Sequence, residues 1–424
     1  MRGLPIALAA AAAALFPFAL QAQSPGPAAV GNAGAATPSS TSAAGFPLTP
    51  SSASTRRGPG YIDLGPMVAY PGVDFQAGYN DNLHLTNTNV VSSPLSVISP
   101  YVKLEAKVGA SVYDLQYRSD FLRYYDSPAD SYASHLLQGN ARLVFDARND
   151  MRLRIEERLS SDPRGSTDRP LSATPDSWRQ STLYAMYGHG ATGAPGRLEF
   201  DASYLERRYT NNRDETAGSD KNVTDFGATF FWRIAPKTRV FVQARRALID
   251  YPQPITTQSS TETRYFVGAQ WEATVQTTGY AKFGLMEKNF KGGGLASQSE
   301  PSWDVGVRWS PLSYSVVDVS LLKTYVESTG IGDAVVSTRG SVGWTHAWNS
   351  RLNHNLYWMK TNDDYIESIP TRKDDTNTLG LKFNYQFQRW LRLGAEFAHT
   401  ERDSSDAQYL YRRNLLLFTV GGTL

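Results

Sequence analysis

The sequence predicts an all-β chain: a transmembrane antiparallel outer-membrane β-barrel of about 18 strands, with 16 as the alternative count. Three observations predict it. Apolar and polar residues alternate with period two through long segments. The links between those segments alternate short and long, and the chain opens on a secretory leader pattern.

The leader comes first. Arg2 precedes an apolar run, Leu4 to Leu20, closed by Gln21-Ala22-Gln23, the pattern of a signal peptide over 1–22. Pro17 interrupts the run, which falls short of the ~20 residues a membrane anchor needs. Residues 23–60 are Ala, Ser, Pro, Gly and Thr with almost no charge before Arg56-Arg57. They bury too little apolar surface to offset their ordering entropy, so they read as a disordered periplasmic leader. Residues 61–424 then read as one barrel domain.

Ser111–Phe121 shows the alternation most clearly. Tyr113, Leu115, Tyr117 and Phe121 share one parity; Asp114, Gln116, Arg118 and Asp120 share the other. Successive strand side chains point to opposite faces, so one face is apolar and the other charged. Met151, Leu153 and Ile155 oppose Arg152, Arg154, Glu156 and Arg158 in the same way, and Leu198, Phe200, Ala202 and Tyr204 oppose Arg197, Glu199 and Asp201. Marking every such run predicts strands at 67–79, 97–107, 111–125, 131–147, 151–161, 177–188, 197–209, 221–234 and 238–250. It predicts a second set at 261–274, 279–289, 301–310, 314–326, 334–348, 351–361, 376–388, 391–402 and 408–424.

The connections separate a membrane barrel from a soluble sandwich. Short links at 108–110, 148–150, 235–237, 311–313 and 389–390 alternate with longer ones such as 80–95, 162–176, 210–220, 291–300 and 361–375. Barrels of the outer membrane have tight periplasmic turns, longer outer loops and even strand counts. Strands of 10–15 residues also exceed the ~5–6 of globular sheets. With the first strand rising from the periplasm, both termini are periplasmic. Aromatic residues near predicted strand ends, among them Tyr124-Tyr125, Trp178, Tyr251, Trp309, Trp344 and Trp390, fit interfacial girdles.

Composition narrows function. Among 424 residues, 42 Lys+Arg face 40 Asp+Glu, a balance without the field that nucleic-acid binding needs, so no nucleic-acid partner is expected. Cysteine is absent, which excludes disulfides and thiolate metal sites. Mean hydropathy is −0.39, far too polar for a bundle of membrane helices.

Val73-Asp74-Phe75-Gln76 followed by Gly78-Tyr79-Asn80-Asp81-Asn82 resembles the opening strand of the putative β-barrel porin 2-like family. Ile98-Ser99-Pro100-Tyr101-Val102-Lys103-Leu104 resembles its second strand; the resemblance covers about 60–424, with its specific motifs inside 73–104. Members of that family, EpsL-like proteins included, often sit beside exopolysaccharide-biosynthesis genes. The resemblance therefore implies a passive outer-membrane channel for export of a secreted exopolysaccharide. A general or sugar-uptake porin is the alternative, and a barrel hydrolase ranks third. The implied partners are the secreted polysaccharide, outer-membrane lipid and lipopolysaccharide, and a periplasmic polysaccharide-export component. From their own chemistry, Asn80, Asp81 and Asn82 read as turn formers that bond side chain to backbone.

No enzyme is expected. His84, His135, His189, His346, His354 and His399 form no H-E-x-x-H pair, and no G-x-S-x-G elbow accompanies them. His346 and His354 flank one turn and read as exposed turn histidines rather than a metal site. Asp363-Asp364-Tyr365-Ile366-Glu367, with Asp374-Asp375, reads as a solvated charge run without the spacing of a Ca²⁺ loop. No cofactor is expected.

Parity then selects the lumen lining. It places Asp114, Arg118, Asp120, Arg152, Arg154, Arg158, Glu199, Asp201, Arg239, Arg245, Arg308, Arg339, Lys382 and Arg392 inside. A midplane Arg facing lipid costs ~2–4 kcal/mol. The 42 basic residues are 31 Arg and 11 Lys, and guanidinium grips carboxylates bidentately. Most of these residues are expected to pair with acids across the wall. Arg152, Arg154 and Arg158, with only Glu156 among them, are the candidate anion-guiding ladder. No predicted loop is long enough to suggest a constricting segment or plug.

Overall fold

The alternating runs form a closed wall of 18 strands. A computed structural model describes residues 60–424, apart from 192, 255, 273–275, 293–295, 331–333 and 367–370. The predicted signal peptide and nearly all of the leader lie outside the described residues, as does Glu367 of the acidic run. A two-residue strand β1 (Ile62–Asp63) pairs only with the start of β2. The wall runs β2 (Met67–Asn80), β3 (Ser93–Val108), β4 (Ser111–Tyr124), β5 (Tyr132–Val144), β6 (Asn149–Asp162) and β7 (Asp176–His189). It continues through β8 (Gly196–Tyr209), β9 (Lys221–Ala235), β10 (Thr238–Asp250), β11 (Ser260–Trp271), β12 (Thr277–Phe290) and β13 (Gln298–Leu312). It ends with β14 (Ser315–Val326), β15 (Ala334–Ala347), β16 (Leu352–Ile366), β17 (Lys373–Gln388), β18 (Leu391–Ser404) and β19 (Tyr411–Thr423).

Each of these strands pairs antiparallel with the next, and β19 returns to β2 with Leu415 opposite Asn80 and Thr423 opposite Gly72. Closure leaves no sheet edge, which is what lets strands stand in a bilayer. No described helix is long and apolar enough to cross a membrane, which says nothing against crossing by strands. The structure resolves the count as 18 rather than 16.

Most boundaries fall within a few residues of the alternation. The clearest departure is at β16 and β17, which extend to Ile366 and begin at Lys373, through Asn362-Asp363-Asp364 and Asp374-Asp375. There the ladder rises above the apolar band, where both faces meet polar surroundings and nothing requires alternation. The acidic run is therefore strand, not loop.

One face of every strand is apolar and exposed. Phe75, Phe121, Leu183, Phe200, Phe230, Val267, Phe283, Leu379 and Phe418 belong to a band that circles the wall. Leaving such a surface in water is costly at ~25 cal/mol per Å², so lipid covers it. Trp232, Trp309, Trp344, Trp348 and Trp390 are exposed near the short-turn end, as interfacial aromatics should be. Tyr124, Trp178 and Tyr251 are not part of that girdle. All three are buried, because their parity turns them away from the apolar face.

The opposite face is concave. Its side chains reach across an intervening strand, as Arg118 of β4 reaches Asp74 of β2 (3.4 Å) and Arg197 of β8 reaches Asp150 of β6 (2.7 Å). Only an inner wall brings second-neighbour strands that close. At the loop end of β2, the Asn82 amide donates to Asn80 Oδ1 (3.1 Å) and the Thr86 amide to Asn82 Oδ1 (3.1 Å). Asp81 accepts from the Asn414 amide (2.6 Å), so the polar turn also fastens the seam between β2 and β19.

The wall has one irregular quarter. The ladder between β13 and β14 reaches only as far as Trp303 opposite Lys323, while β14 stays paired with β15 up to Val326. Lys323 Nζ on Glu300 (2.8 Å) and Ser302 Oγ on the Lys323 carbonyl (2.7 Å) bridge the gap. Above it the described ends of the β14–β15 hairpin are buried: Tyr325, Val326, Glu327, Ser328, Ala334 and Val335 are all below a tenth exposed.

Candidate functional site

The concave face carries the charged residues selected by parity, and strand register decides their partners. Asp74 accepts from Arg118 and from Arg392 (2.9 Å), so one carboxylate joins β4, β2 and β18 across the closure. Arg118 also holds Asp120 (2.8 Å), which accepts from Ser99 Oγ (2.6 Å). Asp114 takes both its contacts from the Asn140 amide (3.0 and 3.1 Å). Arg245 lies between Asp201 (2.6 Å) and Asp225, all three nearly inaccessible. Arg308 grips Asp318 bidentately (2.7 and 3.1 Å), Lys382 meets Glu396 (3.2 Å), and Glu199 meets Arg197 (2.7 Å).

The other basic residues have these neighbours. Arg152 is 4.0 Å from Asp150, Arg154 donates to Asn140 Oδ1 (3.0 Å), and Arg158 is 3.3 Å from Glu156. Arg239 stands in register opposite Arg233. Arg339 donates through Nε to Ser337 Oγ (3.0 Å).

A second constellation, at the long-loop end, was not visible in the sequence. The β14–β15 tip tucks into the mouth, where Glu327 accepts from Lys288 Nζ of β12 (2.5 Å) and from Tyr251 Oη (2.7 Å). Burial alone would raise the Glu327 carboxyl, but the Lys288 and Lys221 ammoniums outweigh it and hold the group below the usual glutamate range. Next to the tip, Thr329 Oγ1 meets Asp168 Oδ2 (3.1 Å) of the 163–175 loop. Asp168 accepts from Arg372 Nη1 (2.6 Å), and Arg372 also clasps Asp374 and lies over Tyr409 (3.3 Å) and Tyr365 (4.2 Å). Arg169 binds Asp176 (2.8 Å) and Asp162 (3.3 Å) and lies over Tyr209 (4.7 Å). Loops from opposite sides of the ring are thus bonded over the lumen. The constriction is assembled from short loops and a hairpin tip, so no single long segment advertises it.

At the same end, Asp130 is held by Arg164 (2.7 and 2.6 Å), His84 (3.0 Å) and Ser127 Oγ (2.6 Å). Burial pushes its carboxyl up, yet the bonds from Arg164, His84 and Ser127 win and hold it well below the aspartate range. Beneath the constriction is a cavity of about 230 Å³. Arg158, Arg207, Lys221 and Arg339 line it, with Trp178 and Tyr209.

Among the described residues no group of three or more His, Asp or Glu is placed to hold an ion. His346 and His354 face each other across β15 and β16, ring centroids 5.8 Å apart, inside an aromatic cluster with Trp344 and Trp348. Trp348 Nε1 donates to His354 Nδ1 (2.9 Å), so that ring nitrogen is already an acceptor. In the acidic run, Asp364 pairs with Lys373 (2.9 Å) and Asp374 with Arg372.

Known proteins share features with this chain. A family model described as Putative beta-barrel porin 2 matches residues 58–422. No curated protein matches the chain. Among solved structures it is similar to the FrpB iron transporter of Neisseria meningitidis (F5-1 variant, apoprotein), at 14% identity and a TM-score of 0.47. That likeness covers 80% of this chain but 62% of FrpB, so the chain spans less than two thirds of that protein. Acinetobacter baumannii OccAB2 is similar at 11% identity (TM-score 0.47; 84% of this chain, 97% of that one). Pseudomonas aeruginosa OpdK is similar at 12% (TM-score 0.45; 84% and 98%). Likeness at this level is one of barrel architecture and carries no substrate.

Proposed function

Since the chain belongs to the Putative beta-barrel porin 2 family, and so is a porin-like outer-membrane barrel channel, we propose that it passes small hydrophilic solutes and catalyses no reaction. This is the uptake-porin alternative. The observation that carries it is the buried contact of Glu327 with Lys288 and Tyr251, which pins a hairpin tip within the mouth. A bulky hydrated polymer needs a wide path with weak contacts, whereas the bonded loops narrow this one. The family's association with exopolysaccharide is what motivates the export reading.

The orientation belongs to the same proposal. The long-loop end faces outward, both chain ends face the periplasm, and lipid and lipopolysaccharide surround the apolar band. Gly60 packs beside Leu424 at the short-turn end, which agrees with this arrangement.

Swelling of liposomes loaded with the purified protein tests the proposal, using sugars of increasing size. Entry of monosaccharides with exclusion of oligosaccharides is the expected result. Deletion of the gene that abolishes surface exopolysaccharide, with solute uptake unchanged, would restore the export reading together with its periplasmic partner.

A further inference from the structure

The cavity below the constriction has an unequal commitment of charge. Four of its five acids are occupied. Asp120 serves Arg118 and Ser99; Asp162 accepts from Trp178 Nε1 (2.9 Å), Tyr209 Oη (2.8 Å) and Arg169. Asp168 is held by Arg372, and Glu327 by Lys288 and Tyr251. Asp363 faces the same space and lies toward Arg339 without reaching ion-pair distance.

Its bases divide: Arg158 pairs with Glu156 (3.3 Å) and Arg402, which also lines the cavity, with Asp374 (3.8 Å), while three others are freer. Among the described residues, Arg207, Lys221 and Arg339 make no ion pair within 4.0 Å. Arg207 is nonetheless fixed. Its guanidinium lies 4.2 Å over the Trp178 ring, and its Nε and Nη2 donate to Gln180 Oε1 (3.0 and 2.7 Å). That leaves Nη1 unused on a fork already held in one plane. Arg339 spends Nε on Ser337 and keeps both Nη groups. A planar fork whose rotamer is locked while its outer donors stay open is preorganised for an oxyanion, since little further entropy is lost on binding.

From this we infer that the cavity is a binding site for a small organic oxyanion, a carboxylate or phosphate ester, gripped by Arg207 and Arg339 with Lys221 adding charge. The inference rests on the small-solute channel reading and names the solute class that would pause there. Val326, Glu327, Ser328 and Thr329 at the end of β14 also line the cavity, so the solute is held beside the contacts that narrow the mouth.

The test compares three sugars on one scaffold: glucuronate, glucose 6-phosphate and neutral glucose. Calorimetric titration of the full chain in detergent micelles reads binding without requiring conduction. Binding of either charged sugar at least about tenfold tighter than glucose is expected; which one binds tells carboxylate from phosphate. Arg207→Gln and Arg339→Gln should each weaken it about tenfold, while Arg339→Lys retains part, since one charged donor remains. Heat-modifiable migration in gels verifies that each variant is folded. Equal binding of all three sugars, or binding unchanged in folded variants, overturns the site. Oxyanion binding by a protein that passes no solute in liposomes keeps the site and overturns the channel reading. Solute passage without binding does the reverse.

Discussion

Lys288 Nζ lies 2.5 Å from Glu327 Oε1, and the two side chains are 0% and 4% exposed. They come from different hairpins, so the pair fastens the β14–β15 tip to the wall at β12. Taking two charges out of water is expensive, and removing one partner of a buried pair costs ~3–5 kcal/mol because the other is left uncompensated.

Lys288→Ala should therefore free the tip while the barrel, held by its closed ladder, stays folded. Single-channel recording in planar bilayers should show larger conductance or longer open times. An unchanged trace from a folded variant would mean that the tip does not limit flow.

The same contact sets a pH dependence. The folded Glu327 carboxyl titrates below the usual ~4.3 of an unfolded glutamate. A depressed carboxylate contributes stability that is present above the unfolded value and lost as pH falls through the folded one. The mouth should hold its conformation from pH 7 to 5 and loosen only in stronger acid. Opening near pH 6 would count against Glu327 as the fastening group.

Asp130 makes the corresponding prediction for the loops. Its carboxyl is depressed by Arg164, His84 and Ser127 against the effect of burial, so by the same sign its contribution survives down to about pH 4. Asp130→Asn should release the 163–175 loop and expose Arg164 to trypsin. Cleavage of intact cells or proteoliposomes at equal rates in both forms would refute the clasp.

Arg245 between Asp201 and Asp225 tests the wall itself. Arg245→Met leaves two buried carboxylates without their cation and should destabilise the barrel by ~3–5 kcal/mol. The temperature at which the gel mobility changes should fall clearly below that of the parent protein.

The ladder residues make a different prediction. Replacing Arg152, Arg154 and Arg158 with Gln should lower anion selectivity in planar bilayers and leave heat-modifiability intact. Unchanged selectivity would leave them only a wall-filling role.

What the sequence reveals follows the bilayer. Where lipid covers one face, every second residue must be apolar, and strands such as Ser111–Tyr124 or Gly196–Tyr209 can be read almost to the residue. Above the apolar band that pressure ends, and the upper parts of β16 and β17 pass for a loop. The mouth is harder still. Arg372 meets Asp168 across 204 residues and Tyr251 meets Glu327 across 76, pairings that no local period announces. Aromatic parity held a usable signal: Trp178 shares its parity with charged-face neighbours such as Gln180, which places it inside rather than in the girdle.

The meeting of β2 with β19 has a consequence for biogenesis. Gln76 bonds Thr419 across 343 residues, so the first wall strand gains its second neighbour only after the last one has been synthesised. At ~5–20 residues per second that delay is on the order of tens of seconds. Until then β2 exposes an unsatisfied edge, the template on which unfolded chains aggregate. Neighbouring hairpins are free to form early, but ring closure is of the highest contact order in the molecule and comes last. Truncation of β19 should therefore yield aggregation rather than a smaller pore.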